Sequence, residues 1–387
     1  MSKLDRLWQN GAMEISPASA SAAGSRLAAV REWLSAHEEF DGLLLVRQEN
    51  LEDFDLRYVT GFTGSSGFAV VSADRALFLT DVRYVEQAAR QCPGWQIERH
   101  GRPATKELAA ALQDAGLRRL AFEPAGVTVE LCDQLRAGLP GVALHPAGGT
   151  VTALRERKDA AEVAAIVRAC VISDAAFAQL LPLIRPGISE RELARRLEEL
   201  FYRHGADGAA FETIAASGPN SALPHARPSA REIVPGDMIT FDFGAAVDGY
   251  RADMTRTVVV GPASPRQKHL YEAVRQVQSD GVAALHAGAR CSEVDAAAKE
   301  GITAAGYGEY PTHSLGHGVG LAIHEAPALR PGSDDILAPG HVVTVEPGIY
   351  IPGFGGVRIE DTVVIEEHAG RVLTTTTRDL IELPATG

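Results

Sequence analysis

Several charged side chains lie inside apolar or glycine-rich segments in the second half of this chain, and their placement limits the folds that the chain can adopt. Asp242 interrupts one apolar run, Glu346 ends another, and Glu360 lies within a third. An unpaired carboxylate is unfavourable in an apolar interior, so several acids kept together require a compensating cation. The sequence therefore predicts a fold in which these segments converge on a bound cation.

Asp242 and Asp253 flank a predicted β-hairpin. Its turn is most simply placed at Asp248-Gly249, because this dipeptide is a strong two-residue turn signal between apolar runs. With that turn, position 242 faces position 255 and position 244 faces position 253. The two aspartates then share one face of the hairpin as diagonal neighbours, roughly 7 Å apart at their Cβ atoms. Two ionised carboxylates so placed repel each other unless one is protonated or a cation lies between them.

His317 adds an imidazole to the four carboxylates. It lies in a histidine- and glycine-rich segment, residues 313–320, where glycines let the backbone approach closely. Each of these residues alone would more often have an ordinary structural role, but their joint pattern favours a two-metal site. Four carboxylates and one imidazole suit Mn²⁺, Co²⁺ or Zn²⁺, and a pair of such ions lowers the pKa of a bridging water.

The organisation of the chain predicts two domains after a short leader. The chain has 387 residues, of which 45% are hydrophobic, so it can bury a substantial core. Residues 1–24 include a small, polar stretch and are predicted to form a flexible leader. Short alternating helices and strands predict an α/β domain over residues 25–150. Long helices with explicit ends, including a capping box from Ser189 to Glu192, then predict an α+β domain over residues 151–387, with helices packed on one side of a curved sheet.

Charge and cysteine usage narrow the class of protein. The formal net charge is -13 and no basic run is interleaved with aromatic residues, so neither nucleic acid nor an anionic membrane is an expected partner. The four cysteines form no Cys-x-x-Cys pair, which favours reduced thiols in a cytoplasm. We find neither a signal-peptide core nor an apolar stretch of the ~20 residues that span a bilayer.

At this point several motifs resemble those of a known family. In order and spacing they are similar to the proline-specific branch of the pita-bread metallopeptidases, aminopeptidase P and prolidase. The resemblance implies an α/β N-terminal creatinase-like domain followed by an α+β pita-bread catalytic domain. Five catalytic-domain segments and two N-terminal segments carry it: residues 241–244, 250–257, 313–320, 346–350 and 356–361, and residues 60–65 and 80–88.

The resemblance implies distinct roles for the five ligands of a two-metal centre. Asp242 would hold one metal ion, Asp253 and Glu360 would bridge both ions, and His317 and Glu346 would serve the second. Glu346 would also be the general base that takes a proton from the bridging water as it attacks the scissile carbonyl. Mn²⁺ is the expected ion, with Co²⁺ and Zn²⁺ as alternatives.

The resemblance also implies a substrate pocket around the metals. His225, His313 and His324 match pocket histidines that bind the scissile carbonyl or its oxyanion and hold the proline side of the substrate. His225 and His324 would therefore join Glu346 in catalysis. Arg358, on the same strand face as Glu360, would orient a substrate carboxylate or a group behind the ligands.

The function that follows is hydrolysis of the bond between an N-terminal residue and a following proline. The substrate is a peptide with proline at its second position, and relatives suggest a homodimer. The motifs do not separate a dipeptidase from an aminopeptidase that accepts longer peptides. That choice could depend on the loop from Arg47 to Asp55, where Arg47 could bind a dipeptide carboxylate. Creatine hydrolysis and a non-catalytic pita-bread binding module are alternatives, but the complete ligand set argues against both.

Overall fold

The computed structural model describes residues 17–49, 51 and 53–385 of the chain, which divides into two compact units, residues 1–155 and 156–387. Within the described residues, the helices of the first unit are α1 (Pro17–Ala36), α2 (Asp55–Thr60), α3 (Val85–Gln91), α4 (Thr105–Asp114), α5 (Val129–Gly138) and α6 (Thr150–Glu156). Its strands are β1 (Gly42–Arg47), β2 (Gly67–Ser72), β3 (Ala76–Thr80), β4 (Gln96–Arg99), β5 (Arg119–Phe122) and β6 (Ala143–Pro146).

The strands of the first unit form one mixed sheet in the order β4-β3-β2-β1-β5-β6. The central strands β1, β2 and β3 pair antiparallel, whereas β4, β5 and β6 each join the sheet in parallel. Leu44, Val70 and Leu120 of the sheet pack with Leu108 and Leu135 of α4 and α5 in one apolar core. The predicted α/β organisation of this unit is therefore present.

Two predictions concern the ends of the first unit. The leader predicted over residues 1–24 lies outside the described residues as far as residue 16, but residues 17–24 form the start of α1. This helical start agrees with the high helix propensity of alanine, and the flexibility of the leader stays a prediction. At the other end, the division falls after the boundary predicted at residue 150. Helix α6 stays with the first unit, since Val151 N donates to Glu123 and Arg155 pairs with Asp55 at 2.8 Å.

The second unit combines helices with several small sheets. Among the described residues its helices are α7 (Ala160–Leu180), α8 (Glu190–Arg203), α9 (Pro265–Ala283) and α10 (Cys291–Ile302). Its strands are β7 (Gly208–Ala209), β8 (Ile214–Ser217), β9 (Met238–Phe243), β10 (Ala245–Val247), β11 (Tyr250–Arg251), β12 (Met254–Val260), β13 (Gly316–Gly318), β14 (Glu325–Leu329), β15 (Val342–Val345), β16 (Gly348–Ile351), β17 (Gly355–Arg358), β18 (Asp361–Ile365), β19 (Gly370–Val372) and β20 (Ile381–Leu383).

Two sheets of the second unit carry the residues of interest. One has the order β20-β12-β9-β8 and the other the order β14-β13-β15-β18-β19. Helices α7 and α8 pack on the first sheet through a core that includes Phe177, Phe201 and Phe241. Helices α9 and α10 pack on the second through a core that includes Leu270 and Val343. This arrangement is the predicted α+β fold, in which helices cover the sheets.

Three helix starts in the second unit, at α7, α8 and α9, have the capping side chain that the local sequence offers. Helix α7 begins with a complete capping box between Asp159 and Glu162, and α9 begins with another at Ser264. At α8, Ser189 caps the amide of Glu192 as predicted. The Glu192 side chain, however, bonds Arg196 one turn later rather than returning to the cap, so only half of that predicted capping box forms.

Helix α7 is long and apolar. By length and composition alone, residues 160–183 pass as a membrane-crossing helix among the described residues, whereas the sequence analysis predicts none. In this fold Ile166, Phe177 and Leu180 are fully buried, and the last two of them pack in the core with α8 and β9. One face of α7 therefore lines the interior of the second unit, whereas Val171 on the same helix is exposed.

Candidate metal centre

The hairpin that carries Asp242 and Asp253 forms in the predicted register. Asp242 lies in β9 and pairs with Thr255 of β12, and the same register continues through β10 and β11 to the turn. Asp248 and Gly249 both have positive φ, as the favoured two-residue hairpin turn requires. Asp253 immediately precedes β12, so both aspartates lie where the hairpin enters the sheet.

The other three predicted ligands lie in or beside strands of the second sheet, which has the order β14-β13-β15-β18-β19. His317 lies in β13, Glu346 directly follows β15, and Glu360 directly precedes β18. Two contacts join these strands to the first hairpin. Glu360 N donates to the Thr255 carbonyl at 3.1 Å, and the hydroxyl of Thr362, a residue of β18, donates to the Asp253 carbonyl at 2.7 Å. These two hydrogen bonds help to bring together Asp253 and Glu360, which are more than a hundred residues apart in the chain.

The five predicted ligands converge on one cavity. Single ligand atoms of Asp253, His317 and Glu360 all lie within 4.8 Å of one another. Glu346 is 3.2 Å from the His317 ring nitrogen Nε2, and Asp242 lines the same cavity, which has a volume of about 770 Å³. The joint pattern of acids and imidazole seen in the sequence therefore corresponds to a single place in the fold.

The imidazole of His317 is oriented by its surroundings. Its Nδ1 lies 3.0 Å from the Gly318 carbonyl, which can only accept, so Nδ1 carries the proton. Its Nε2 then faces carboxylate oxygens of Asp253 at 3.6 Å and Glu346 at 3.2 Å. The Thr344 hydroxyl accepts from His317 N and donates to Glu346, linking the two ligands. This orientation points Nε2 at the proposed metal site, where it can donate a proton to Glu346 in the absence of metal and where a metal ion would replace that proton.

The electrostatics of the cluster match a site built for cations. Burial, and then repulsion from neighbouring carboxylates, raises the pKa values of Asp253 and Glu360 well above their usual range. Burial also raises the pKa of Asp242, although Arg358 opposes the shift. Burial alone would raise the pKa of Glu346 as well, but the hydrogen bond and charge of His317, with smaller contributions from other neighbours, lower it to about 2. Bound cations would remove the repulsion that raises the other three.

Two carboxylate oxygens of the cluster are available to a cation. Within the described residues, Asp242 Oδ1 and Glu360 Oε1 are buried without a hydrogen-bond partner. Their companion oxygens are satisfied, since Arg358 donates to Asp242 Oδ2 at 2.5 Å and Thr255 donates to Glu360 Oε2 at 2.7 Å. A buried polar atom without a partner is costly, and hard carboxylate oxygens are ligands for divalent ions. The donor set and its unused oxygens therefore fit divalent metal ions.

A hydrogen-bonded chain beside the ligands was not predicted from the sequence. Besides holding Asp242, Arg358 donates from Nη1 to the Tyr350 hydroxyl at 2.7 Å. The Tyr350 hydroxyl donates to His313 Nε2 at 2.9 Å, because His313 Nδ1 donates to the Ser314 carbonyl. Burial lowers the pKa of His313, in keeping with this neutral form. The only sequence signal for Tyr350 was its place at the end of the motif that begins with Glu346.

The predicted pocket residues line the same cavity as the ligands. His324 packs edge-on against His317, with ring centroids 4.3 Å apart, and His225 is exposed within the cavity. The structure thus brings all nine predicted site residues to one cavity wall: His225, Asp242, Asp253, His313, His317, His324, Glu346, Arg358 and Glu360.

The loop from Arg47 to Asp55 belongs to the first unit, and residues 50 and 52 lie outside the described residues. Arg47 Nη1 donates to the Asp53 carbonyl within this loop. The idea that Arg47 binds a substrate carboxylate stays a prediction.

Comparison with known proteins identifies the family. Residues 164–367 match the model of metallopeptidase family M24, and residues 26–157 match the creatinase/prolidase N-terminal domain. The structure of an Xaa-Pro dipeptidase from Bacillus anthracis is similar at 41% identity and a TM-score of 0.89, covering 93% of this chain and 100% of that one. An X-Pro aminopeptidase from Thermotoga maritima is similar at 35% identity and a TM-score of 0.85, covering 91% and 98%.

A sequence relative agrees with these structures. An Xaa-Pro dipeptidase from Pyrococcus horikoshii is 35% identical over 343 residues, which are 88% of this chain and 94% of that protein. The likeness spans both units, and it confirms the creatinase-like N-terminal domain and the pita-bread catalytic domain that the motifs predict. The chain therefore belongs to metallopeptidase family M24, as a metal-dependent hydrolase whose catalytic domain follows a creatinase/prolidase N-terminal domain.

Proposed function

We propose that this protein is an Xaa-Pro dipeptidase, which hydrolyses the bond between an N-terminal residue and a following proline. The observation that carries the proposal is the convergence of five metal-ligating side chains, two of which have buried carboxylate oxygens without partners. The substrate class is supported by similar proteins that are named Xaa-Pro dipeptidases. Proline suits a dedicated site because its amide has no N–H and its φ is fixed.

The family implies divalent metal ions, and we propose two of them, with Mn²⁺ as the preferred ion and Co²⁺ or Zn²⁺ as alternatives. Asp242 would hold one ion, Asp253 and Glu360 would bridge, and His317 and Glu346 would hold the other. Four carboxylates balance the charge of two divalent ions, and their oxygens favour hard ions, while the one imidazole favours a transition metal. When bound, such ions lower the pKa of a coordinated water and polarise the carbonyl under attack.

The side chains around the ligands have separable roles in this proposal. Glu346 lies beside His317 in the cavity, and Thr344 donates to one of its oxygens at 3.2 Å, so its carboxylate is held at the proposed metal site. Its carboxylate can therefore accept the proton of the attacking water. His225 and His324 face the cavity and would donate to the developing oxyanion or hold the proline side of the substrate.

His313 serves differently from the other two histidines. Both of its ring nitrogens are already bonded, to Tyr350 and Ser314. We therefore assign His313 to the cavity wall, where it contacts the substrate through its ring. Arg358 holds Asp242 and the Tyr350 hydroxyl, so it orients a ligand and the wall together.

The alternatives are weaker for particular reasons. Creatine hydrolysis is not favoured, because the similar proteins are Xaa-Pro dipeptidases and the five ligands are complete. A non-catalytic binding module has no use for that complete set. An aminopeptidase acting on longer peptides is the second candidate, because the Thermotoga maritima aminopeptidase is also similar over most of the chain. We also propose a homodimer in the cytoplasm, from the family resemblance of the motifs and the free cysteines of the described residues, and one that binds neither nucleic acid nor membrane, from the net charge of -13.

The test is an assay in the presence of Mn²⁺ with three substrates: an Xaa-Pro dipeptide, an Xaa-Pro-Xaa tripeptide and an Xaa-Ala dipeptide. We expect cleavage of the Xaa-Pro dipeptide and a loss of about 10²-fold or more in kcat for Glu346→Gln. Glu366→Gln is the matched control, because this glutamate is 54% exposed and pairs with Arg371. Equal rates on the tripeptide would favour the aminopeptidase, and full activity in chelator would refute the metal-dependent mechanism.

A further inference from the structure

Glu190 is a buried carboxylate that the proposed chemistry does not use. It is the first residue of α8 and is fully buried. It does not cap its own helix, because Ser189 already accepts from the amide of Glu192. A buried carboxylate must be satisfied by strong donors or it destabilises the fold. The partners of Glu190 therefore indicate what this residue holds in place.

Those partners lie at the two ends of one loop. Glu190 Oε1 accepts from the amide and the hydroxyl of Ser217, both at 2.7 Å. Glu190 Oε2 accepts from the amide of Ser229 at 3.0 Å and from its hydroxyl at 2.6 Å. The Asn220 side-chain amide donates to both oxygens, at 3.0 and 3.2 Å. One carboxylate thus closes the base of the segment from Ser217 to Ser229.

This segment carries His225 into the cavity. Its middle is attached to β17, because Gly356 N donates to the Ser221 hydroxyl at 2.9 Å. Near its tip, Arg358 donates to the Pro224 carbonyl at 3.3 Å. The side chain of His225 is exposed in the cavity. The position of the His225 ring therefore depends on the backbone that carries it.

The chemistry of Glu190 suits this task better than a neutral side chain would. All six bonds come from N–H and O–H groups, and a carboxylate can accept all of them because both of its oxygens are acceptors only. A glutamine has the same shape but turns one oxygen into an NH₂ donor. That NH₂ group would face the amide and hydroxyl donors of either Ser217 or Ser229, and the hydrogen bonds at that end of the loop would be lost.

We propose that Glu190 is a positioning residue for His225: it closes the Ser217–Ser229 segment so that the His225 ring is held at the substrate. The proposal rests on the proposed function, since it assigns His225 a role in that reaction. A misplaced catalytic group is costly, because a displacement of about 1 Å can reduce a rate by roughly 10²-fold. Glu190 bonds none of the proposed metal ligands itself, so most of its effect on the reaction should be lost when His225 is absent.

The experiment is a double-mutant cycle of Glu190→Gln with His225→Ala in the full-length, Mn²⁺-loaded protein, measured as kcat/KM on an Xaa-Pro dipeptide. We expect Glu190→Gln to lower kcat/KM by about tenfold or more on its own, and by less than about twofold in the His225→Ala background. Glu192→Gln is the matched control, since it makes the same chemical change two residues along α8 at a half-exposed side chain. Additive losses in the cycle, or wild-type activity of Glu190→Gln, would overturn the proposal.

A second measurement separates this proposal from the proposed function. Hydrogen exchange in the peptides covering residues 217–229 should accelerate in Glu190→Gln but not in Glu192→Gln, and it needs no substrate. Unchanged exchange there would overturn the proposal even if the enzyme is active, whereas an inactive wild type would refute only the function. If Glu190→Gln does not fold, Ser229→Ala removes one donor at the far end of the loop and should show the same pattern in both measurements.

Discussion

Arg256 is the largest fully buried side chain of the described residues, and Arg256→Met is expected to destabilise the second unit by about 3–5 kcal/mol. Its guanidinium pairs with Asp361 at 2.7 Å, with both side chains 1% exposed or less. It also donates to the carbonyls of Glu360, Thr376 and Thr377. The substitution would leave a buried carboxylate short of its cation and these carbonyls short of a donor.

The neighbouring Arg378 provides the matched comparison. Its Nε pairs with the other oxygen of Asp361 at 2.6 Å, but its side chain is 30% exposed. Water can replace much of the interaction between the partly exposed Arg378 and Asp361, so Arg378→Met should lower the free energy of unfolding by only about 1 kcal/mol. Urea unfolding followed by far-UV circular dichroism measures both changes. All three tryptophans lie in the first unit, so their fluorescence reports that unit separately.

Arg256→Met should also weaken metal binding. Arg256 donates to the carbonyl of Glu360, a proposed bridging ligand, and groups behind a ligand typically contribute 10- to 100-fold in affinity. We therefore expect Arg256→Met to bind Mn²⁺ at least tenfold more weakly than Arg378→Met. If Arg256→Met were no less stable than Arg378→Met, our reasoning about this buried pair would be refuted.

Three further substitutions test other parts of the structure. The buried His341 accepts a hydrogen bond at Nδ1 from the Ala338 amide. Burial, and then nearby positive charge, lowers the pKa of His341 from 6.5 to about 4. The stability that neutral His341 contributes is therefore present above pH 6.5 and is lost as the pH falls towards 4. Wild type should therefore lose about 2 kcal/mol more than His341→Gln between pH 7 and pH 5 in urea titrations, and parallel losses would contradict this account. Gly244→Ala would place a Cβ 1.8 Å from the Ala252 carbonyl oxygen, so it should disrupt the hairpin that carries Asp242 and Asp253 and abolish activity. Gly101→Ala is the control and should be tolerated, because its Cβ would meet nothing nearer than 3.7 Å. An active Gly244→Ala protein would argue against the described hairpin. Tyr350→Phe removes the hydroxyl that lies between Arg358 and His313. It should lower kcat/KM by about tenfold and the free energy of unfolding by about 1 kcal/mol. An unchanged kcat/KM would show that this hydroxyl does not matter for the reaction.

The hairpin and the ligands were predictable because local rules determine them. The Asp248-Gly249 turn sets the register, and that register alone places Asp242 opposite Thr255. Glu360 could be recognised as unusual because a charged residue inside an apolar run is costly unless it is paired. Signals of this kind require only neighbours in sequence.

The groups behind the ligands were not predictable for the opposite reason. Arg256 holds the Thr376 carbonyl, which is 120 residues away along the chain. Glu190 reaches Ser229, 39 residues away. Neither contact leaves a periodic pattern in the sequence, because each depends on how distant strands and loops pack. Arg358 and Tyr350 lie on paired strands of one hairpin, β17 and β16, but not opposite each other, so the register alone does not show that their side chains bond.

We propose that five side chains of the second unit hold divalent metal ions. The most direct measurement is the number of Mn²⁺ ions bound per chain, determined by titrating the chelated and desalted protein and analysing its metal content. We predict two ions per wild-type chain, and weaker binding of fewer ions in Glu360→Gln, which loses a proposed bridging ligand. A wild-type protein that binds no Mn²⁺, Co²⁺ or Zn²⁺, or a Glu360→Gln protein that binds the same number with the same affinity, would contradict the account.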